Sequence, residues 1–339
     1  MSGSAAAPTK LRWSRPAGPG SSTASRSVRA SASSSSSTWT KSTGRRAAAR
    51  RGRDRAPRPC RHAVGRARRL RDRPGREPDR AGSGISSPID PDLAFAHELA
   101  DLADSLSLPR FRAADLRVDE KPDLTPVSDA DRAVEEALRA AIAEQRPGEG
   151  FLGEESGSEE ADTRWVVDPI DGTRNFVRGI PIWATLIALE RDGRAVVGVV
   201  SAPALRQRWW AARGEGAHRD DSRIHVSAIR RIEDATFCYT SARDFAKRGL
   251  ADRFFALAER SWVARGFGDF WMHMLVAEGA ADAAVDGSLQ RWDTAAVEVI
   301  VEEAGGRFSG LDGRPHEPGG AALSSNGLLH DAVVTAFAR

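Results

Sequence analysis

Trp165-Val166-Val167-Asp168-Pro169-Ile170-Asp171-Gly172-Thr173 is the stretch on which the reading of this chain turns. The apolar run Trp165 to Val167 reads as a buried strand, and Gly172-Thr173 as the turn into a helix. Two carboxylates three residues apart at that junction, with the Ile170 carbonyl between them, supply the oxygen ligands that a hard divalent cation such as Mg²⁺ takes. The Gly172 and Thr173 amides fall at a helix start, where a phosphate is favoured. The same string has a plainer reading, because Asp-Gly is a common turn and Asp before a helix a common cap. The rest of the chain decides between them.

The chain has 339 residues and a formal charge of +3, but the charge is unevenly spread. Residues 1–89 carry 21 Lys and Arg against 4 Asp and Glu, which leaves 29 against 43 in residues 90–339. The first segment is rich in Ser, Arg, Ala, Pro and Gly, with Ser31 to Ser37 interrupted only by Ala32. It offers too few apolar side chains to offset the entropy of ordering, so residues 1–89 are expected to be a disordered basic tail. An organelle transit peptide, a nucleic-acid-binding arm and an over-extended translation start all share this composition. Residues 90–339 are expected to form the folded domain.

Two cysteines, Cys60 and Cys238, make neither a disulfide framework nor a cysteine zinc site, which fits a reducing compartment. The seven histidines have no H-x-x-x-H spacing, which argues against zinc hydrolysis. With no apolar run near 18 residues and no secretory leader, a cytoplasmic protein with no membrane segment is expected.

From Asp92 the pattern is regular. Leu93, Ala96, Leu99, Ala100, Ala103 and Leu106 predict a helix over 92–107, and Val134, Ala137, Leu138, Ala141 and Ile142 a second one, opened by Asp129 or Asp131 and stopped at Pro147-Gly148. Strands are expected at 115–120, 151–153, 164–167, 183–189, 195–200, 208–212 and 223–226, with Asp192-Gly193 a hairpin turn. Further strands are expected near 235–239, 262–266, 283–285, 306–308 and 321–324, and helices at 250–260, 270–280, 294–304 and 328–337. Interleaving without strict βαβ regularity predicts a layered α/β or α+β fold.

Five carboxylates sit at element edges: Asp131, Glu154, Asp168, Asp171 and Asp293. Singly each has an ordinary reading, Asp131 and Asp293 as caps and Glu154 as a solvated loop residue. Together they lie at strand ends and helix starts, where α/β sites form.

These residues carry a resemblance. Gly153-Glu154-Glu155-Ser156, Trp165 to Thr173, Trp292-Asp293 with Glu302-Glu303-Ala304-Gly305-Gly306, and Pro126 to Asp131 within 123–135 resemble, in order and spacing, the Mg²⁺-dependent inositol monophosphatase family. The resemblance spans about 92–337 and implies an αβαβα sandwich, often a homodimer, with two to three Mg²⁺ per subunit. It implies Glu154, Asp168 and the Ile170 carbonyl as ligands of one metal and Asp168, Asp171 and Asp293 as those of a second, with Glu154 bordering a third, weaker site. Thr173 and Asp131 would orient and deprotonate the water for in-line attack on a phosphate monoester, and the Gly172 and Thr173 amides would hold the phosphate.

Within the family, Asn175 to Thr185, Ser201 to Ala204, Trp209 to Gly214 and Gly266 to Trp271 resemble the histidinol-phosphatases of actinobacterial type. That implies hydrolysis of L-histidinol phosphate, a cationic substrate suited to an acidic, aromatic-lined pocket. Asp286, seven residues before Asp293, and Arg265 fall where the family lines its substrate site. Their plainer readings are a turn residue and a surface ion pair, and Trp271 reads first as core packing. An inositol-1-phosphate phosphatase is the nearest alternative. An RNA-binding regulator that keeps the fold and uses the Arg-rich tail is the alternative of another class, although nucleic acid is not the expected partner.

Overall fold

A computed structural model describes residues 90–159 and 161–338. The basic tail and Cys60 lie outside the described residues.

An eight-stranded sheet forms the frame. Its order is β10 (Ser222–Arg223), β9 (Gly216–Arg219), β8 (Gln207–Ala212), β7 (Arg194–Ala202), β6 (Ala184–Arg191), β5 (Thr163–Asp171), β3 (Gly150–Gly153) and β4 (Gly157–Glu159). All neighbours are antiparallel except β3 and β5, which run parallel, so their C-terminal ends lie side by side. A hairpin of β1 (Val118–Glu120) and β2 (Pro126–Ser128) stands apart. The second sheet has five strands in the order β12 (Val263–Arg265), β11 (Thr236–Tyr239), β13 (Ala283–Asp286), β15 (Ala322–Ser325) and β14 (Arg307–Gly310).

Helices fill the three remaining layers. The expected periodicities hold: α1 (Pro91–Arg110) and α2 (Asp129–Gln145) bury Leu93, Leu99, Val134 and Leu138 against Trp165, Val167, Ile187 and Leu189 on one face of the large sheet. On its other face, α6 (Asp269–Ala277) and α7 (Arg291–Glu303) pack Phe270, Met274, Val297 and Ile300 against Val166, Leu186 and Val200. The same two helices meet the small sheet, through β13, β14 and β15. Its far side is closed by Phe245 of α4 (Ala242–Lys247), Phe254 and Leu257 of α5 (Ala251–Arg260) and Val333 and Phe337 of α8 (His330–Ala338). The order is helix, sheet, helix, sheet, helix, which is the expected αβαβα sandwich. A short helix, α3 (Thr173–Arg178), follows β5.

Two expected strands lose half or more of their pattern. Of 115–120 only Val118–Glu120 pairs, because Asp115 is drawn into an ion pair with Arg110 at 2.9 Å. Of 223–226 only Arg223 pairs, with Ser222 before it, and the Val226 amide donates to the Ala304 carbonyl instead.

Glu190, at 1% exposure, ties the frame to the middle helices. It accepts from Arg164 of its neighbour strand at 2.8 Å and from Arg291, the first residue of α7. That pair fixes the start of α7, two residues from Asp293.

Candidate active site

The parallel pair β3–β5 brings Glu154 and the Asp168–Thr173 segment to one edge. In a regular strand, residues three apart face opposite sides. The β5–β6 register shifts between Asp168 and Asp171, a bulge that turns both carboxylates toward the same point. Asp293 arrives from the first turn of α7. Ligand oxygens of Asp168, Asp171 and Asp293 all lie within 4.8 Å of one another.

Both helical aspartates serve a capping box as well. Asp131 is the third residue of α2, and its Oδ2 accepts the Ser128 amide at 2.8 Å in a capping box. Its Oδ1 accepts from Thr173 Oγ1 at 3.3 Å, and the same hydroxyl reaches the Ile170 carbonyl at 3.0 Å. Asp293 accepts the Gln290 amide at 2.6 Å. Neither aspartate is the N-cap, which is Ser128 in α2 and Gln290 in α7; each is the third helical residue, bonded back to its N-cap amide, and its carboxylate also lies in the acid cluster.

Burial and mutual repulsion hold these acids up. Burial, then the charges of Glu154, Asp171 and Asp293, holds Asp168 well above the usual carboxylate range. Burial, then Asp269 and Asp293, does the same for Asp171. Burial pushes Asp293 up to about 7 and Asp131 up to about 6, with Glu154 adding to both. Carboxylates gathered this closely and dried this far form a donor set that a hard divalent cation stabilises and that resists ionisation without one. The residues present fit a Mg²⁺ centre.

Glu154 stands beside this trio rather than within it. Its Oε1 accepts from Lys121 Nζ at 2.7 Å, and the same ammonium reaches Glu155 at 2.5 Å. Burial raises its pKa despite the Lys121 pair, and it acts on Asp168. Gly172 has φ of 81°, and a Cβ there would come 3.1 Å from the Ile182 carbonyl and 3.3 Å from Asp269 Oδ2, so glycine is required at this turn. With Thr173 it opens α3.

Asp286, 4% exposed at the end of β13, accepts from Thr240 and from the Ser288 amide at 3.0 Å. It adds to the charge on Asp171, Asp269 and Asp293. Arg265 stays apart, exposed on the edge strand β12 and donating to the Ala264 carbonyl at 3.0 Å. Trp271 packs on Phe267 and the core, as its plainer reading has it.

One site residue was not legible as such. Asp269 opens α6 with φ of 49°, an uncommon conformation for a side chain other than glycine. It accepts from Asn175 Nδ2 at 2.8 Å, and the next amide, Phe270, donates to Asp171 Oδ2 at 2.6 Å. Burial, then Asp286, pushes it up to about 6, against the pull of Arg174. The signal was the Asp within Gly266 to Trp271, where Gly268 frees the backbone just before the helix.

A buried carboxylate centre at a bulged strand end, flanked by a Thr–Asp pair, belongs to a cation-dependent enzyme on a layered α/β frame. The sequence profile of the inositol monophosphatase family matches residues 89–338, and the chain belongs to that family. It is 52% identical over 251 residues to a histidinol-phosphatase of Mycobacterium tuberculosis, covering 72% of this chain and 96% of that one. It is 49% identical over 253 residues to a histidinol-phosphatase of Streptomyces coelicolor, covering 72% and 95%. Among solved structures, an inositol monophosphatase from Zymomonas mobilis superposes with a TM-score of 0.66 at 33% identity, covering 73% of this chain and 98% of that one. The chain is a phosphoric monoester hydrolase of a metal-dependent family.

Proposed function

We propose that the 90–339 domain hydrolyses L-histidinol phosphate to L-histidinol and phosphate. The observation that carries the substrate is the second pair of acids, half-buried Asp269 and buried Asp286, beside the cation centre. A neutral polyol gains little from two carboxylates that burial holds up, whereas an amine or imidazolium neutralises them. The greater identity to two histidinol-phosphatases than to the inositol monophosphatase structure supports the same substrate.

Asp168, Asp171, Asp293, Glu154 and the Ile170 carbonyl would hold the Mg²⁺ ions, two to three per subunit. When bound, Mg²⁺ supplies neutralisation of the ester dianion, a more acidic water and a stabilised leaving alkoxide. The chain's own residues do the rest. Thr173 Oγ1 takes a proton from the attacking water as its own passes to Asp131 Oδ1, and the Gly172 and Thr173 amides orient the phosphate for in-line displacement. The departing alkoxide takes a proton from solvent water to become the histidinol hydroxyl, and Asp131 returns its proton to solvent, so that one water is consumed overall. Asp269 and Asp286 face the cationic end of the substrate, and the surface position of Arg265 leaves it at most a rim contact. The reading includes a homodimer working in the cytoplasm.

Phosphate release in Mg²⁺ from L-histidinol phosphate, inositol-1-phosphate and phosphoadenosine phosphate, side by side, tests it. The expected kcat/KM is highest for the first. A preference for either of the others removes the histidinol assignment and leaves the phosphatase chemistry standing.

A further inference from the structure

Glu135 lies one helical turn after Asp131 on α2, is 1% exposed, and touches neither the carboxylate trio nor Thr173 in any contact described above. Its two oxygens accept the Glu155 amide at 2.8 Å and the Ser156 amide at 2.6 Å. These are the two peptide groups that directly follow Glu154. On the other side, a Cβ on Gly153 would come 2.6 Å from both Cδ and Oε1 of Glu135, so the glycine before Glu154 is what lets the carboxylate lie against the backbone. One buried carboxylate therefore holds the two amides after Glu154 and lies against the backbone just before it.

We propose that Glu135 is a positioning residue of the cation centre, fixing the backbone from which Glu154 presents its carboxylate. Residues i and i+4 share a helix face. Asp131 and Glu135 thus make α2 a rigid bar, with the Thr173 arm of the site at one turn and the Glu154 arm at the next. Lys121 also reaches Glu154, but it holds Oε1, one of the side-chain oxygens that a cation needs. Glu135 holds only backbone and leaves those oxygens for ligation. A charged acceptor for two amides also rigidifies the turn more than water would. Outer contacts of this kind typically set metal affinity by about 10–100-fold. The inference rests on the reading of Glu154 as a ligand.

The test is a Mg²⁺ titration of the metal-free full chain, followed by thermal unfolding and by calorimetry, for wild type, Glu135→Gln, Gly153→Ala and Glu149→Gln. Glu135→Gln removes one of the two acceptors, and Gly153→Ala presses the unchanged carboxylate off the amides. Glu149→Gln is the control, a carboxylate that accepts from the Trp165 indole at 2.6 Å away from the loop. The half-saturating Mg²⁺ concentration is expected to rise about 10-fold or more in the first two variants and to stay put in the control. Saturating Mg²⁺ should restore most of the phosphatase activity in both. An unchanged half-saturation in folded Glu135→Gln or Gly153→Ala, or an equal rise in Glu149→Gln, overturns the proposal, as does failure of both variants to fold. A wild-type chain that ignores Mg²⁺ removes the metal reading itself, which is a separate outcome.

Discussion

Replacing Asp293 by Asn should make the metal-free protein more stable while abolishing most of its response to Mg²⁺. Burial pushes the Asp293 carboxyl up to about 7, from an ordinary value of 3.8, with Glu154 and Asp286 adding repulsion. A carboxyl raised on folding contributes stability below its unfolded pKa and loses it as pH rises through the folded one. At pH 8, ionising Asp293 in the folded chain therefore costs about 4 kcal/mol, three pKa units at 1.36 kcal/mol each. Asn keeps an oxygen for the Gln290 amide, now held at 2.6 Å, and removes the charge. Allowing for loss of part of that bond, the gain is about 2–4 kcal/mol, or roughly 5–12 °C in Tm for a domain of this size. Wild type in 10 mM Mg²⁺ gains by mass action, about 2.7 kcal/mol at a hundredfold excess over Kd. The assay is thermal unfolding at pH 6 and pH 8, in EDTA and in Mg²⁺. In EDTA, wild type should lose stability between pH 6 and 8 and the variant should lose less. A variant less stable than wild type in EDTA at pH 8, with an undiminished Mg²⁺ response, would refute the reasoning.

Thr173→Ala removes the hydroxyl that donates to Asp131, and on the proposed water activation steady-state kinetics should show kcat lowered by about 10²–10⁴-fold with KM little changed. Asp269→Asn should raise KM for L-histidinol phosphate about tenfold or more and alter inositol-1-phosphate hydrolysis far less, which parallel kinetics on the two esters would reveal. Glu190→Ala removes the buried acceptor that Arg164 and Arg291 share near the start of α7 and leaves Arg291 its pair with Glu298 at 2.7 Å, so denaturant unfolding should show a loss of about 1.5–3 kcal/mol.

Much of the frame was legible because burial imposes a period. The α1 and α2 patterns and the runs of β5, β6 and β7 are sides of one buried layer, and the structure follows them to within a few residues. The misses lack that signal. β4, Gly157–Glu159, is exposed throughout, and β9 and α4 are short. In the site, Asp131, Asp168, Asp171 and Asp293 were legible because each sits at an element end. What composition along the chain does not carry is which other acids the third dimension adds. Asp269 reads locally as an ordinary helix start, and only the approach of α6 to Asp171 and Asn175 brings it to the acid cluster. Glu135 reads as a solvent-side helix residue, and only the return of the loop after β3 buries it. Arg265 went the other way, since an edge strand carries it outward.

The most direct test is phosphate release from L-histidinol phosphate by wild type and Asp168→Asn, each in EDTA and in Mg²⁺. Asp168 is the acid on which the charges of Glu154, Asp171, Asp293 and Asp131 converge. Wild type should be silent in EDTA and active in Mg²⁺, with Asp168→Asn folded, silent in EDTA and at least about 10³-fold slower than wild type in Mg²⁺. Metal-independent release by wild type, or Mg²⁺-dependent release at the wild-type rate by Asp168→Asn, would contradict a cation centre at the end of β5.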